Sequence, residues 1–499
     1  MALMAAVALL VCGAEVDAGK AVHYRECVET CANNIVTHGL DHYGEVHTPM
    51  FMAIMDVASN ETPREPLVLD GLIRSEGRLH RRNPGGCDLW EDQPLLRVLF
   101  ELNRLDGGKK YEAACGGYIT SFFERSRKEN GMLAWGSHIF YDAYTDAPGG
   151  DQDGKGPHEI LVLLPEWERM WDSVPELLTK EIEGIWEWHV VDKTTGLHNR
   201  HDDKSPGCDF AFSGGSFVQA FAFLYNKTKD PKYLEWAKIV AGRHWNARNP
   251  ETNLAPDAPG TGDRYDAHHC FTTVTGPHAA ALLRAYELTG DAWFKDVALA
   301  YLKAYLKYGW DAEAKQWRAM LALDGTPVMD QEKGDGYDVW KPTGYIDIWR
   351  TVMFSYEFPM IAAQTSVYAY EVTGDAEALE SAKHWAGNIR ANLPAKIGRR
   401  WYKETLEALP DAEKTGGTYA ENYGRAISFF LHLHYATKDP ADLDTAEQLA
   451  DEAVAKLYVN GWFKGHPAKP YYENTDGVGL LMYALLELSE YPRVMKENF

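Results

Sequence analysis

Residues Tyr286–Ala298, which read YELTGDAWFKDVA, carry the clearest indication of the fold. An apolar helix ends at the tyrosine, a Thr-Gly-Asp turn reverses the chain, and the aspartate caps the next helix. The same form recurs, with Lys-Asp-Pro as the turn in two cases, at Tyr225–Ala237, Tyr370–Ala382 and Tyr435–Ala446. Looser versions occur at Leu102–Ala114, Met55–Pro66 and Trp171–Leu177. The repetition predicts about seven helical hairpins.

The two helices of each predicted hairpin differ in polarity. The helix that enters the turn is apolar all round, as in Phe210–Tyr225 and His278–Tyr286, which indicates burial on every side. The helix that leaves the turn has one polar face, as in Lys232–Asn246 and Ala376–Asn392. Inner helices enclosed by outer helices are typical of a closed toroid. We therefore predict an all-α fold, an (α/α)7 toroid, in one catalytic domain over residues 19–499.

Long glycine-rich loops precede several of the predicted inner helices, at Gly131–His158, Gly196–Gly215, Asn249–Gly276 and Asp324–Tyr345. An open helical solenoid is the alternative architecture, but its repeats are shorter and more uniform, with few long loops. In a toroid, these four loops would gather at one end of the ring, around the mouth of a central cavity. This end of the ring is where we expect the chemistry.

The charge of the chain argues against two classes of binding partner. The chain of 499 residues carries 73 acidic and 50 basic residues, for a net charge of -23. This balance disfavours nonspecific binding to nucleic acids or to anionic membranes, both of which need a basic surface. Aromatic residues make up 12% of the chain, a richness found in clefts that bind sugars and also in large helical cores.

The N-terminus resembles an export signal. Residues 1–13 are almost entirely apolar, and Val16 and Ala18 before Gly19 suit cleavage after Ala18. No Lys or Arg precedes the apolar run, so residues 1–18 lack the usual basic start. We predict a signal peptide and a periplasmic or secreted protein, with a cytoplasmic location left open. We also expect a monomer, and buried thiols instead of a zinc site for most of the cysteines.

Residues that commonly bind metals are densest between Trp135 and His201. This stretch contains His138 and Asp142 in one loop, His158 and Glu159 in a second, and His198, His201 and Asp202 in a third. Imidazole and carboxylate ligands together are typical of Mn, Co, Ni or Zn sites, whereas calcium prefers oxygen ligands throughout. The sequence therefore predicts a transition-metal site at the mouth of the toroid.

The order His138, Glu159, Arg200-His201 resembles polysaccharide lyase family 2, the metal-dependent pectate lyases of the α/α-toroid type. The resemblance implies that His138, Glu159 and His201 hold a divalent metal, Mn first, with Co or Ni also suitable and Ca less so. It implies that Arg200 is the catalytic base. Two alternatives stay open at this point: His158 could replace His138 or Glu159, and His198 could replace His201.

The implied reaction is β-elimination in a polyuronate such as polygalacturonate. A base removes the proton at C5, α to the carboxylate, and a divalent ion stabilises the developing negative charge. Arginine has a pKa of about 12.5 to 13.8, so we predict a high pH optimum.

Basic and aromatic residues in the later loops are candidates for binding the substrate. Arg264, Lys341 and Arg350 would grip an anionic chain. Trp340, Tyr345 and Trp349 would stack on sugar faces, although Trp349 and Arg350 could equally pack within the toroid.

Other classes of function compete with this interpretation. A glycoside hydrolase on the same architecture, including one acting on uronic-acid oligosaccharides, needs two carboxyl groups. The available pairs are Asp142/Asp146, Glu166/Glu168 and Asp202/Asp203. A non-catalytic helical-repeat scaffold would present a smooth apolar groove, whereas these loops are rich in His, Trp and Arg. A uronate epimerase would share the first proton abstraction.

Overall fold

The computed structural model describes residues 16–64, 85–136, 138–260, 266–331, 341–349, 356–393, 416–496 and 499. Most of these residues are helical. The α-helices of seven or more residues are α1 (Ala18–His38), α2 (Gln93–Asp106), α3 (Lys110–Arg125), α4 (Trp167–Ser173), α5 (Pro175–Gly184), α6 (Ala211–Thr228), α7 (Pro231–Ala247), α8 (Ala279–Thr289), α9 (Ala292–Gly309), α10 (Pro359–Thr373), α11 (Ala376–Arg390), α12 (Ala420–Thr437), α13 (Pro440–Leu457) and α14 (Val478–Ser489).

The four strongest hairpin predictions are confirmed. Helices α6, α8, α10 and α12 each end in a left-handed residue, and in the α8–α9 turn this residue is Gly290, with φ 72°. Asp291 then accepts a hydrogen bond from Trp293 N–H and caps α9. The equivalent caps of the other three outer helices are Asp230, Asp375 and Asp439. The looser versions at Leu102–Ala114 and Trp171–Leu177 also mark helical turns, α2 to α3 and α4 to α5.

The inner helices form a closed ring. In chain order they are α2, α4, α6, α8, α10, α12 and α14, and α14 packs back against α2. Side chains join the short α4 to its neighbours: Glu166 at its start forms an ion pair with Arg97 of α2, and Trp167 donates to Gln219 of α6. Each inner helix also packs against one outer helix. The described residues thus form seven helical pairs around a ring, which confirms the predicted toroid class.

One predicted hairpin is wrong, and the two ends of the chain supply the missing pair. Met55 lies in strand β1 (Ile54–Asp56), and Asp56 accepts hydrogen bonds from the N–H groups of Ala58 and Ser59, so the chain makes a tight turn there. Strand β1 pairs with β13 (Tyr471–Glu473), and α1 packs against α14. The seventh pair therefore joins the first and last helices, which no local sequence signal could reveal.

The polarity of the helices follows the prediction. Every residue of α6 from Ala211 to Leu224 is buried, whereas α11 buries one face that includes Ala378, Ala382 and Trp385. Some inner helices pack backbone to backbone. A Cβ added at Gly424 of α12 would lie 2.5 Å from the backbone of Leu480 and Leu481 in α14. Glycine is therefore required for this close contact.

Short strands tie the loops together before the inner helices. The remaining strands are β2 (Gly86–Cys87), β3 (Ile139–Asp142), β4 (Ala147–Gly150), β5 (Val190–Asp192), β6 (Leu197–His198), β7 (His269–Cys270), β8 (Trp310–Asp311), β9 (Gln316–Trp317), β10 (Leu321–Ala322), β11 (Tyr458–Val459) and β12 (Trp462–Phe463). Strands β7 and β10 pair between the loops that precede α8 and α10, and Ala211 N–H, at the start of α6, donates to Asp257 O in the loop that precedes α8. The loops that precede α6, α8 and α10 therefore meet at one end of the ring.

Two further predictions concern the cysteines and the chain start. Six cysteines are free and buried in the described chain: Cys27, Cys31, Cys87, Cys115, Cys208 and Cys270. Among the helices in the described ranges, none combines the length and the hydropathy that a membrane span requires. Residues 1–15 lie outside the described residues, so the signal peptide stays a prediction, as does the single domain over residues 19–499.

Candidate metal centre and active site

Three of the residues singled out in the sequence converge before the inner helices α4 and α6. His138 directly precedes β3, Glu159 follows the β3–β4 hairpin, and His201 follows β6. Glu159 and His201 pair as an isolated antiparallel bridge, which joins their two loops through the backbone. One ligand atom from each of the three side chains lies within 4.8 Å of the other two.

The glutamate lies between the two histidines. Glu159 Oε2 is 3.7 Å from His138 Nε2, and Glu159 Oε1 is 3.2 Å from His201 Nε2. The imidazole rings are nearly perpendicular, with centroids 5.0 Å apart. Two imidazole nitrogens and a carboxylate are a donor set that suits divalent transition metals. Over the described ranges, no other group of three His, Cys, Asp or Glu side chains meets in this way.

Arg200 contacts the same carboxylate. Its Nε lies 3.1 Å from Glu159 Oε1, and both side chains are buried. Burial alone would raise the pKa of Glu159, but Arg200, His138 and His201 together hold it well below the usual range of a glutamate. The carboxylate is therefore ionised, as a metal ligand must be.

Phe210 and the backbone position the Arg200 side chain. The guanidinium carbon lies 5.3 Å from the centre of the Phe210 ring, and Arg200 N–H donates to Cys208 O. Phe210 directly precedes α6, so the start of an inner helix supports the arginine. No sequence pattern indicates this contact, because it depends on the path of the loop between Arg200 and Phe210.

Side chains hold the loop around Arg200 and His201. Asn199 Oδ1 accepts from His201 N–H, and Asn199 Nδ2 donates to Asp203 Oδ1. Asp202 forms an ion pair with Lys128 and accepts a hydrogen bond from His158 N–H. The loop is therefore fixed to the segment that follows α3.

The two alternative ligands, His158 and His198, lie outside the cluster. His158 is wholly buried, with Nδ1 2.8 Å from His189 Nε2 and Nε2 2.5 Å from Trp135 Nε1. His198 is also wholly buried, and its two ring nitrogens face the carbonyl oxygens of Gly196 and Phe210. Neither histidine belongs to the group that His138, Glu159 and His201 form.

The candidate substrate-binding residues are more dispersed. Lys341 forms a 3.0 Å ion pair with the buried Asp266, and Tyr345 donates to Asp311. Trp349 is 3% exposed and packs in the hydrophobic core, which is the packing role that the sequence left open for it. Arg264, Trp340 and Arg350 lie outside the described residues.

The carboxylate pairs considered for a hydrolase have structural contacts. Glu166 pairs with Arg97, Glu168 with Lys227, and Asp202 with Lys128. Asp146 accepts hydrogen bonds from the N–H groups of Glu45 and Val46. The remaining two members accept backbone hydrogen bonds within turns: Asp142 from Tyr144 and Asp203 from Ser205.

A carboxylate that the sequence did not identify lies beside the cluster. Asp151 Oδ2 is 2.7 Å from His138 Nδ1. Asp151 is one of several acidic residues in a glycine-rich loop, and no spacing rule sets it apart.

The fold and the cluster define a class of protein: a helical toroid with two histidines, a glutamate and an arginine gathered before the inner helices. A sequence model of the family described as periplasmic pectate lyase matches residues 87–212 and 266–497. The chain belongs to this family, and the first matched segment contains all four of these residues.

The similarities to individual proteins are weaker than the match to the family model. The pectate disaccharide-lyase of Dickeya dadantii (strain 3937) is 28% identical over an alignment of 224 residues, and the alignment covers 38% of this chain and 41% of that protein. The chain thus aligns with less than half of the relative's length. Among solved structures, a D-mannose isomerase is similar with a TM-score of 0.48 and 10% identity, covering 94% of this chain and 97% of that one. A cellobiose 2-epimerase from Bacillus thermoamylovorans B4167 has a TM-score of 0.47 and 12% identity, covering 94% and 99%. These identities are too low to indicate function.

Proposed function

We propose that this protein is a polysaccharide lyase that cleaves a polyuronate of the pectate type by metal-assisted β-elimination. Membership of the periplasmic pectate lyase family supports the substrate class and an extracytoplasmic location. The observation that carries the mechanism is the buried Glu159, which is in contact with His138, Arg200 and His201 at once.

The residues present fit a divalent transition metal. Two neutral imidazoles and an ionised carboxylate supply three ligands, and their ligand atoms are already within 4.8 Å of one another. His138, Glu159 and His201 would hold the ion, Mn²⁺ first, with Co²⁺ or Ni²⁺ as alternatives. When bound, such an ion would neutralise the substrate carboxylate and stabilise negative charge that develops on it.

Arg200 acts as the base in this proposal. Its guanidine takes the proton from C5 of the uronate, and the electron pair of the C5–H bond forms the C4–C5 double bond. The C4–O bond breaks, and the departing oxygen keeps the electron pair of that C4–O bond and takes a proton from solvent. Phe210 and Glu159 orient the guanidine, so less orientational freedom is lost when the substrate binds.

Depolymerisation of a substrate panel tests the proposal. The purified protein is incubated with polygalacturonate, other polyuronates and a neutral glucan, with Mn²⁺, Co²⁺, Ni²⁺, Ca²⁺ or EDTA. We expect the ultraviolet absorbance of the new double bond to appear with a polyuronate and a transition metal, and to disappear with EDTA.

Two other outcomes would contradict the proposal. New reducing ends without ultraviolet absorbance would indicate a glycoside hydrolase. Unchanged polymers across the whole panel, together with no bound metal by elemental analysis, would favour a non-catalytic scaffold.

A further inference from the structure

Two hydrogen bonds join Asp151 to His138. The carboxylate Oδ2 lies 2.7 Å from His138 Nδ1, and Asp151 N–H donates to the His138 carbonyl over 2.8 Å. The second bond fixes the two backbones relative to each other. The backbone of Asp151 is therefore bonded to the same histidine that the Asp151 side chain contacts.

The backbone after β4 takes an unfavourable path to make this contact. Gln152 and Asp153 adopt left-handed conformations, with φ of 54° and 53°. Gly150 has φ 101°, and a Cβ there would lie 2.4 Å from the His138 carbonyl oxygen. Two successive non-glycine residues in this region are costly and persist only where the surroundings enforce them. The turn therefore holds the Asp151 side chain in contact with His138.

The contact determines which nitrogen of His138 can bind a metal. A carboxylate accepts a hydrogen bond and cannot donate one when ionised, so the proton of a neutral His138 belongs on Nδ1. Its Nε2 then carries the lone pair, and this is the nitrogen that lies 3.7 Å from Glu159 Oε2. Over the described ranges, His201 makes its one carboxylate contact with Glu159 itself, so its ring has no equivalent support.

We propose that Asp151 is a positioning residue for the metal centre. It holds His138 in the tautomer and orientation in which Nε2 can bind the ion. This inference rests on the proposed metal site. Carboxylates that orient metal-binding histidines typically change metal affinity by about 10- to 100-fold when they are removed.

Three variants separate positioning from a general effect of charge. Asp151→Ala removes the hydrogen-bond acceptor, and Asp151→Asn keeps an acceptor oxygen without the charge. Asp153→Asn is the control, because it removes one negative charge from the same turn at an exposed residue and suits a left-handed conformation. For each variant, the dissociation constant of Mn²⁺ is measured by titration calorimetry, and the unfolding temperature is measured without metal.

We expect Asp151→Ala to weaken Mn²⁺ binding about 10- to 100-fold, Asp151→Asn to weaken it less, and Asp153→Asn to leave it within about twofold. Equal affinity for Asp151→Ala and the wild type would overturn the inference and leave the metal site standing. An equal loss in Asp153→Asn would also overturn it, since charge alone would then explain the effect. If the wild type itself binds no divalent transition metal, the proposed function fails instead. Should Asp151→Ala not fold, Asp151→Asn decides: it must bind Mn²⁺ measurably more weakly than Asp153→Asn.

Discussion

Arg200 Nε lies 3.1 Å from Glu159 Oε1 in a place where Arg200 is 2% exposed and Glu159 is wholly buried. Bulk water screens neither charge, so each charge is stabilised by the other. Removal of one partner from a buried pair leaves an uncompensated charge and costs about 3–5 kcal/mol. This pair therefore links the stability of the loop with the chemistry of the site.

Glu159→Gln should lower both the stability of the protein and its affinity for metal. We expect the metal-free variant to lose about 3 kcal/mol of unfolding free energy in urea and to bind Mn²⁺ very weakly. Glu187→Gln is the control, because Glu187 is half exposed and pairs with Lys193 and Lys204 at the surface. Such pairs contribute below about 1 kcal/mol. Similar losses of stability in the two variants would contradict a special role for the buried pair.

Arg200→Ala should separate catalysis from metal binding. We expect kcat on polygalacturonate to fall by about 10²- to 10⁴-fold, the range for loss of a general base, while Mn²⁺ remains bound. Arg104→Ala, at a partly exposed arginine paired with Glu101, should leave kcat unchanged. In the wild type, kcat should rise with pH into the alkaline range, because arginine is deprotonated only there. A rate that peaks in mildly acidic solution would assign the base to a histidine.

The ring of inner helices gives a prediction about stability alone. At Gly424 an added Cβ would meet the backbone of α14 at 2.5 Å, so Gly424→Ala should destabilise the protein by about 1–3 kcal/mol or more. The control is Gly387→Ala in the outer helix α11, where, apart from the chain neighbours and the helix's own backbone, no described residue has an atom within 4 Å of the added Cβ. That substitution should stabilise the protein by up to about 1 kcal/mol. Urea unfolding of the two variants should thus shift in opposite directions.

Much of the fold could be predicted because its signals are local. The Thr-Gly-Asp turn at residues 289–291 contains a left-handed glycine and a capping aspartate, and both occur in the structure as predicted. The pairing of α1 with α14 could not be predicted in this way, because the two helices lie at opposite ends of the chain. The predicted hairpin at Met55 is wrong for a different reason: residues that cap helices also occur in tight turns outside helices.

The candidate site was predicted in part. His138, Glu159, Arg200 and His201 stand out by residue type and order, and the structure brings them together. Asp151 and Phe210 were missed, because their contacts arise from the backbone path of the loops. The roles of His158 and His198 could not be assigned from the sequence, because a buried structural histidine and a metal ligand look the same there. Only their tertiary contacts distinguish the two.

The buried histidines predict a loss of stability in acid. His198, His244 and His278 are wholly buried, and burial lowers the pKa of each, for His278 to about 4. In the unfolded chain a histidine titrates near pH 6.5, so between pH 6.5 and about 4 the unfolded state binds more protons. The stability due to a neutral His278 is therefore complete above about pH 6.5 and is lost as pH falls toward 4, at a cost on the order of 3 kcal/mol.

We expect the free energy of unfolding in urea to fall steeply between pH 7 and pH 5. His278→Asn should reduce this slope, because asparagine does not titrate and its amide can still donate to the Ala211 carbonyl that His278 Nδ1 contacts at 2.7 Å. The same substitution at the exposed His47 should leave the slope unchanged. Each protein is measured without metal, so that ligand protonation at His138 and His201 does not enter through metal release. Equal slopes for His278→Asn and the wild type would show that the acid sensitivity lies elsewhere in the fold.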